Sequence, residues 1–251
     1  MRYNQPMRKS RVGWISSLAL LMAIVAVLLV ALAGPAYRAG WVGLGTALQR
    51  MLTWGAFAGI GAVVLGLLGL IVTRGRRRAL ALTAVAIGGA AVALPLRLQQ
   101  AARSVPGIHD ITTDTVTPPL FVEAAAVRAE LRVPNTLDYT ADVASQQIAA
   151  YHDIVPLFLD VPPAEAYRRA LAVVDARGWK RLAADDGAHR IEATDTTFWF
   201  GFEDDIAIRV SGIPNGGSRV DVRSVSRVGR SDIGTNARRI REFLSDLQQQ
   251  R

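Results

Sequence analysis

Hydrophobic and polar positions divide the chain into two unlike parts. Up to about residue 100, three apolar runs, 14–33, 52–72 and 79–98, alternate with short basic loops. Each run is close to the ~20 residues that a helix rising 1.5 Å per residue needs to cross ~30 Å of hydrocarbon, and each predicts a transmembrane helix. From Val105 onward apolar stretches are short and periodic. Residues 104–135, rich in Pro, Thr and Asp, predict an extended linker, and 139–151 have weak helical character. Residues 155–159 predict a strand that ends at Pro162-Pro163, where proline suits the first turn of a helix. Tyr167, Ala170, Leu171 and Val174 recur at helical spacing, so 164–177 predict an amphipathic helix stopped by Gly178. Strands follow at Trp179 and at 189–194 after the turn Asp185-Asp186-Gly187, and 197–201 are a further strand candidate. Ile206, Ile208 and Val210 alternate with Ala207 and Arg209, Pro214-Asn215-Gly216-Gly217 signals a hairpin, and 219–227 alternate again. Ile240, Phe243, Leu244 and Leu247 mark a last amphipathic helix.

This order, β-α-β4-α, predicts a two-layer α+β domain in which an antiparallel sheet carries two amphipathic helices. It is similar in element order to the TATA-box-binding-protein topology, a likeness that carries no function. The expected organisation is a transmembrane module over 1–103, the linker over 104–135 and an extracytoplasmic domain over 136–251.

Charge changes the picture next. The net charge of +8 invites a nucleic-acid reading, but twelve of the 29 basic residues lie in 1–103 and all 21 acidic residues lie after it. The membrane part thus carries +12 and the remainder −4. The basic excess belongs to loops beside the helices, and nucleic acid is not an expected partner. Basic loops stay cytoplasmic. The N-terminal tail has Arg2, Arg8, Lys9 and Arg11, the first loop only Arg38 and Arg50, and the second Arg74, Arg76, Arg77 and Arg78. The N-terminus is therefore expected in the cytoplasm and the C-terminal domain outside it. Trp14, Trp41 and Trp54 fit an interfacial belt. Ala31-Leu32-Ala33 resembles a signal-peptide cleavage site, so two readings stand; the apolar run exceeds the ~7–15 residues of a signal core, which favours a retained anchor. Gly55, Gly59, Ala62 and Gly66 form a small-residue stripe for helix packing, within the chain or between copies. No ionisable residue interrupts the first two helices or the core of the third, which argues against an ion or substrate pathway.

The stretch 221–236, Asp-Val-Arg-Ser-Val-Ser-Arg-Val-Gly-Arg-Ser-Asp-Ile-Gly-Thr-Asn, resembles the signature of the family known as domain of unknown function 1499. The resemblance extends to 108–115, Tyr151, Pro156, Gly178-Trp179, Ile191-Glu192-Ala193-Thr194 and Asp204-Asp205, and so covers 108–247. It implies an often membrane-attached protein of bacteria or plastids, here of the bacterial inner membrane, with no activity to carry over. Many members have cysteines near the start of the domain; this chain has none, which removes any cysteine-based role.

Two surfaces emerge as candidates. On the last strand Arg219, Asp221, Arg223 and Arg227 share one face, with Arg209 and Glu192 able to join them. That face is either solvated and laced with ion pairs or a recognition surface for an anionic headgroup or a partner protein. The loop 228–236 places Arg230, Ser231, Asp232, Gly234 and Asn236 at the start of the last helix, where Ser231 or Asp232 caps it or an anion binds. The candidate ligand-binding set is thus Arg223, Arg227, Arg230, Ser231, Asp232, Gly234 and Asn236. Expected partners are the bilayer and an envelope or membrane protein, or an anionic headgroup; a lipid or small-ligand site between sheet and helices is the alternative. The histidines, His109, His152 and His189, belong to no nucleophile or zinc motif, and His109-Asp110 with Ser224 or Ser226 is the weak hydrolase reading. Trp179, Trp199 and Phe200 read as packing residues. No catalytic residue, metal or cofactor is expected.

Overall fold

The computed structural model describes residues 13–214 and 216–250. Arg2, Arg8, Lys9 and Arg11 of the basic tail, and Asn215 of the hairpin signal, lie outside the described residues.

Among the described residues, three helices are long and apolar enough to cross a membrane. They are α1 (Trp14–Arg38), α2 (Leu52–Val72), which continues a π-helical turn at Thr46–Met51, and α3 (Arg76–Ser104). α1 runs on through Pro35 to Arg38 and α3 through Pro95 to Ser104, so both outlast the apolar runs that announce them, which end at 33 and 98. Their buried residues are nearly all small: Ala19, Ala23 and Ala26 on α1, Gly55, Gly59, Ala62, Gly66 and Gly69 on α2, and Ala81, Ala84, Gly88 and Ala91 on α3. The stripe on α2 is used within the chain. A Cβ at Gly55 would meet Val30 of α1, and one at Gly59 would lie 2.8 Å from the Gly88 carbonyl oxygen of α3. Small residues let the backbones approach where apolar burial gives no preference over lipid.

The second unit contains β1 (Asp110–Thr112), α4 (Glu123–Glu130), α5 (Ala141–Ala150), β2 (Leu157–Leu159), α6 (Pro163–Ala176), β3 (Lys180–Asp185), β4 (Arg190–Thr196), β5 (Glu203–Gly212), β6 (Ser218–Ser226) and α7 (Thr235–Gln249). All strand pairs are antiparallel, in the order β1-β6-β5-β4-β3, and β2 pairs with β6 on the same edge as β1. The order strand, helix, four strands, helix is present from Leu157 onward.

Alternation assigns the two faces of the sheet. Ile191, Ala193, Ile206, Ile208, Val210, Val220 and Val222 are buried beneath Tyr167, Ala170, Val173 and Val174 of α6 and Ala237, Ile240, Phe243 and Leu247 of α7. Trp179 stacks on Phe243 with ring centres 5.6 Å apart. Side chains of the sheet and of both helices thus form one apolar core. The segment expected as a linker differs most from its prediction. It supplies β1, which pairs Ile111 with Ser224, and α4, which packs on β3 and β4. A three-residue strand and an eight-residue helix are too short to print a period on the sequence.

Candidate functional site

The charged face of the sheet is built from alternate residues of β4, β5 and β6. The alternation leaves it open to solvent or a partner; in the structure it lies under 113–139. Arg223 donates from Nε and Nη2 to the two carboxylate oxygens of Asp110, at 3.0 and 2.7 Å. It also donates to the carbonyls of Pro119 and Leu137, and its guanidinium lies 5.2 Å from the ring centre of Phe121. Arg227 donates from Nη2 to Asp205 at 2.7 Å and pairs with Glu203. Burial opposes the charge on Arg227, but the hydrogen bonds and charges of Asp205 and Glu203 more than offset it and hold its pKa above the usual arginine value. Glu192, fully buried, accepts the N–H groups of Val122 and Ala124 at 2.9 Å each, so a carboxylate from the sheet satisfies the open start of α4. At the rim, Arg209 and Arg219 share Asp114 and Asp221, and Arg190 lies 3.5 Å from Glu192.

Six arginines (128, 190, 209, 219, 223 and 227) therefore meet six carboxylates (Asp110, Asp114, Glu192, Glu203, Asp205 and Asp221) on this face. Their charges balance. Arg223 and Arg227 act here as the internal ties of a covered sheet, because a buried charge is tolerated only when paired and hydrogen-bonded.

The opposite face carries a second polar cluster at the start of α7. Asn236 donates from Nδ2 to the His109 carbonyl at 3.0 Å and to Ser226 Oγ at 2.9 Å, and its Oδ1 accepts from Ser224 Oγ at 2.7 Å. Arg239 donates to Asp195 at 2.9 Å and to Asp204 at 2.6 Å. Helical spacing links Asn236, Arg239, Ile240 and Phe243, and that was the available signal for Arg239. The grouping of Asp110 with Ser224 or Ser226 is not assembled here. Asp110 points to the face covered by 113–139, whereas Ser224 and Ser226 point to the helix face and bind Asn236. His152 is exposed, and His189 sits at φ 48° in the β3–β4 turn, 5.7 Å from the ring of Tyr167.

Between the two clusters runs loop 228–236. Asp232 accepts the N–H groups of Gly234 at 2.9 Å and Asn236 at 2.7 Å, so this carboxylate is the cap of α7 and occupies the place of an outside anion. Burial raises its pKa, the two N–H donors pull it back, and the net direction is up. Gly234 is left-handed at φ 76°, a conformation suited to glycine. Ser231 Oγ donates to the Pro106 carbonyl at 3.3 Å and accepts the Ile233 N–H at the same distance. Arg230 is exposed. Buried nearby, His109 Nδ1 and Tyr151 Oη have no hydrogen-bond partner among the described residues.

The seven candidate residues therefore fall into three places: Arg223 and Arg227 under 113–139, Asn236 on the helix face, and Arg230, Ser231, Asp232 and Gly234 in the loop. Among the aromatic residues, Phe200 is buried between Trp199 and Phe202, with ring centres 4.8 and 5.1 Å away, as a packing residue should be. Phe198 beside them is 93% exposed, in the β4–β5 connection, where the strand candidate at 197–201 proves to be a turn. No curated protein matches the chain. A family model described as protein of unknown function (DUF1499) matches residues 110–247, and the chain belongs to that family.

Proposed function

We propose that the chain is a non-catalytic binding or assembly module of the bacterial cell envelope. Its three helices hold it in the inner membrane with the N-terminus in the cytoplasm, and its C-terminal domain contacts an envelope component or another membrane protein from the far side. The distribution of basic loops supports that orientation. One observation carries the binding role: loop 228–236 is exposed at Arg230 yet anchored along its length. Asn135 donates to the Gly229 carbonyl at 2.9 Å, the Asp232 N–H to the Ile108 carbonyl at 3.3 Å, and Arg227 and Asn236 fix the two ends from opposite faces of the sheet. Binding loops set on rigid scaffolds have this construction, since little ordering is left to do on contact.

Arg230 is the proposed contact residue, with Ser231, Asp232 and Gly234 shaping the loop and Arg223 holding its strand. A photo-crosslinking residue at 230 in the full chain, in native membranes, should give a discrete adduct that the same residue at Arg168, an exposed position on α6, does not. Equal labelling from both positions would remove the binding role. Alkaline phosphatase fused after Ser104 should be active and fused after Gly75 inactive; the reverse would overturn the orientation.

A further inference from the structure

We infer that the hairpin Thr197–Phe202 between β4 and β5 is a docking element for the surface of the bilayer in which the chain is anchored. The sheet has two ends, and their turns differ in kind. At one end lie the β3–β4 turn, Asp185-Asp186-Gly187, and the β5–β6 turn around Pro214 and Gly217, both polar as surface turns ordinarily are. At the other end the β4–β5 connection reads Thr-Phe-Trp-Phe-Gly-Phe. Its geometry is fixed: Thr197 and Phe202 exchange backbone and side-chain hydrogen bonds at 2.8 Å, and Trp199, Phe200 and Phe202 pack on one another. This leaves Phe198 standing out at 93% exposure, held there by a stiff loop.

Chain connectivity names the occupant. The last membrane-length helix ends at Ser104, and β1 begins at Asp110. His109 accepts the N–H of Ser226, and Glu203, at the root of the hairpin, accepts the N–H of Arg227. Strands lie ~4.8 Å apart, so the hairpin root is roughly 10 Å across the sheet from the point where the chain arrives from the membrane. His109 lies five positions after Ser104, a tether of ~17 Å at full stretch. The aromatic turn therefore belongs to the tethered end of the domain, and the polar turns to the free end. Ile233, 37% exposed, and Arg230, also exposed, share that end. Aromatic and apolar groups accompanied by arginine are the composition of a membrane–water interface. The inference goes beyond the binding role proposed above and holds on whichever side of the membrane the domain lies.

The chain has no cysteine, so a single introduced cysteine gives one label. The full-length protein, carrying an environment-sensitive fluorophore on Phe198→Cys or on Asp186→Cys at the free end, is reconstituted into phosphatidylcholine–phosphatidylglycerol vesicles containing brominated lipid. The label at 198 should shift to the blue and be quenched several-fold more than the label at 186. A label on Thr196→Cys, with Phe198 intact, should lose that quenching when Phe198→Ser is added. Phe198 is exposed, so this second change leaves the core untouched. Equal quenching at 198 and 186, or insensitivity of the 196 label to Phe198→Ser, would overturn the inference. So would protection at 198 in native membranes without quenching in pure lipid, which would assign the hairpin to a protein partner.

Discussion

Asp205 of β5 receives Arg128 of α4 at 2.7 Å, across 77 positions of sequence, with the two side chains 0% and 5% exposed. This pair fastens the segment 113–139 to the sheet. Asp205 simultaneously accepts from Arg227 at 2.7 Å and from Thr194 at 2.9 Å, so one carboxylate bridges two buried guanidinium groups, the second of which also pairs with Glu203. Asp205→Ala should strand Arg128 and leave Arg227 with Glu203 alone, and so destabilise the domain by about 3–5 kcal/mol, the usual cost of breaking a buried pair. Arg128→Met leaves Asp205 with Arg227 and Thr194, and should cost roughly 1.5–3 kcal/mol, the worth of charge-assisted hydrogen bonds. Urea denaturation of the full chain in detergent, followed by proteolytic susceptibility of the C-terminal domain, checks the order; equal losses would refute the shared role of Asp205.

That network also explains how much of the domain was legible in the sequence. The alternation of 219–227 told correctly which residues of β6 share a face, because a strand's period of two is local. Whether the face is open depends on 113–139, which has no period: it holds Pro118-Pro119, an eight-residue helix and a three-residue strand. Arg223 looked like a ligand residue because its partner Asp110 lies 113 positions away and nothing local announces the pairing. The helices α6 and α7 were readable from their apolar stripes. The run 197–201 reads as a strand candidate because Phe198, Trp199 and Phe200 are aromatic, yet it forms the turn between β4 and β5, and only the folded hairpin separates an exposed Phe198 from a buried Phe200.

The acid response of the fold should pass through Asp232. Burial raises its pKa above the ordinary 3.8, the N–H groups of Asn236 and Gly234 oppose this, and the charge of Asp204 adds to the rise. A carboxyl group with a raised folded-state pKa binds its proton more tightly when folded. Its contribution to stability therefore falls as pH climbs from 3.8 through the raised value, and is constant above it. Asp232→Asn should abolish that slope while losing one of two cap hydrogen bonds, at about 0.5–1.5 kcal/mol near neutrality. The difference in urea midpoint between the two proteins should widen as pH falls toward 3.8. Asp114 and Asp153, whose pKa values are lowered, titrate alike in both proteins and cancel. A pH-independent difference would assign Asp232 a purely structural cap.

Helix packing in the membrane part allows a paired test on two glycines. A Cβ at Gly59 would lie 2.8 Å from the Gly88 carbonyl oxygen, whereas a Cβ at Gly89 would meet nothing within 4 Å. Backbone oxygen cannot rotate away, so Gly59→Ala should push α2 and α3 apart and Gly89→Ala should not. Both substitutions raise helix propensity by about 1 kcal/mol, which leaves packing as the difference. The thermal aggregation temperature of the detergent-solubilised chain should fall for Gly59→Ala and hold or rise for Gly89→Ala; a common response would mean that the α2–α3 contact is looser than the geometry states.

The outer edge of β1 is closed by a side chain in place of a strand. Gln147 of α5 accepts the Thr112 N–H at Oε1, 3.0 Å, and donates from Nε2 to the Thr112 carbonyl at 2.6 Å. It thereby imitates the two bonds that a neighbouring residue would make, and Tyr139 holds Oε1 from behind at 2.9 Å. An unpaired edge strand invites association with another chain. Gln147→Glu keeps the size and the acceptor but sets a carboxylate oxygen against the Thr112 carbonyl, and Gln147→Leu removes both bonds. Each should cost about 1–3 kcal/mol, because buried backbone groups lose the partner that Gln147 gives them. The consequence for association separates the two variants. The glutamate puts a charge on the edge and should keep the chain monodisperse, while leucine leaves an apolar, unsatisfied edge that should promote oligomers on light scattering of the detergent-solubilised protein. If the leucine variant stays monodisperse and as stable as the native chain, the amide is not what closes this edge of the sheet.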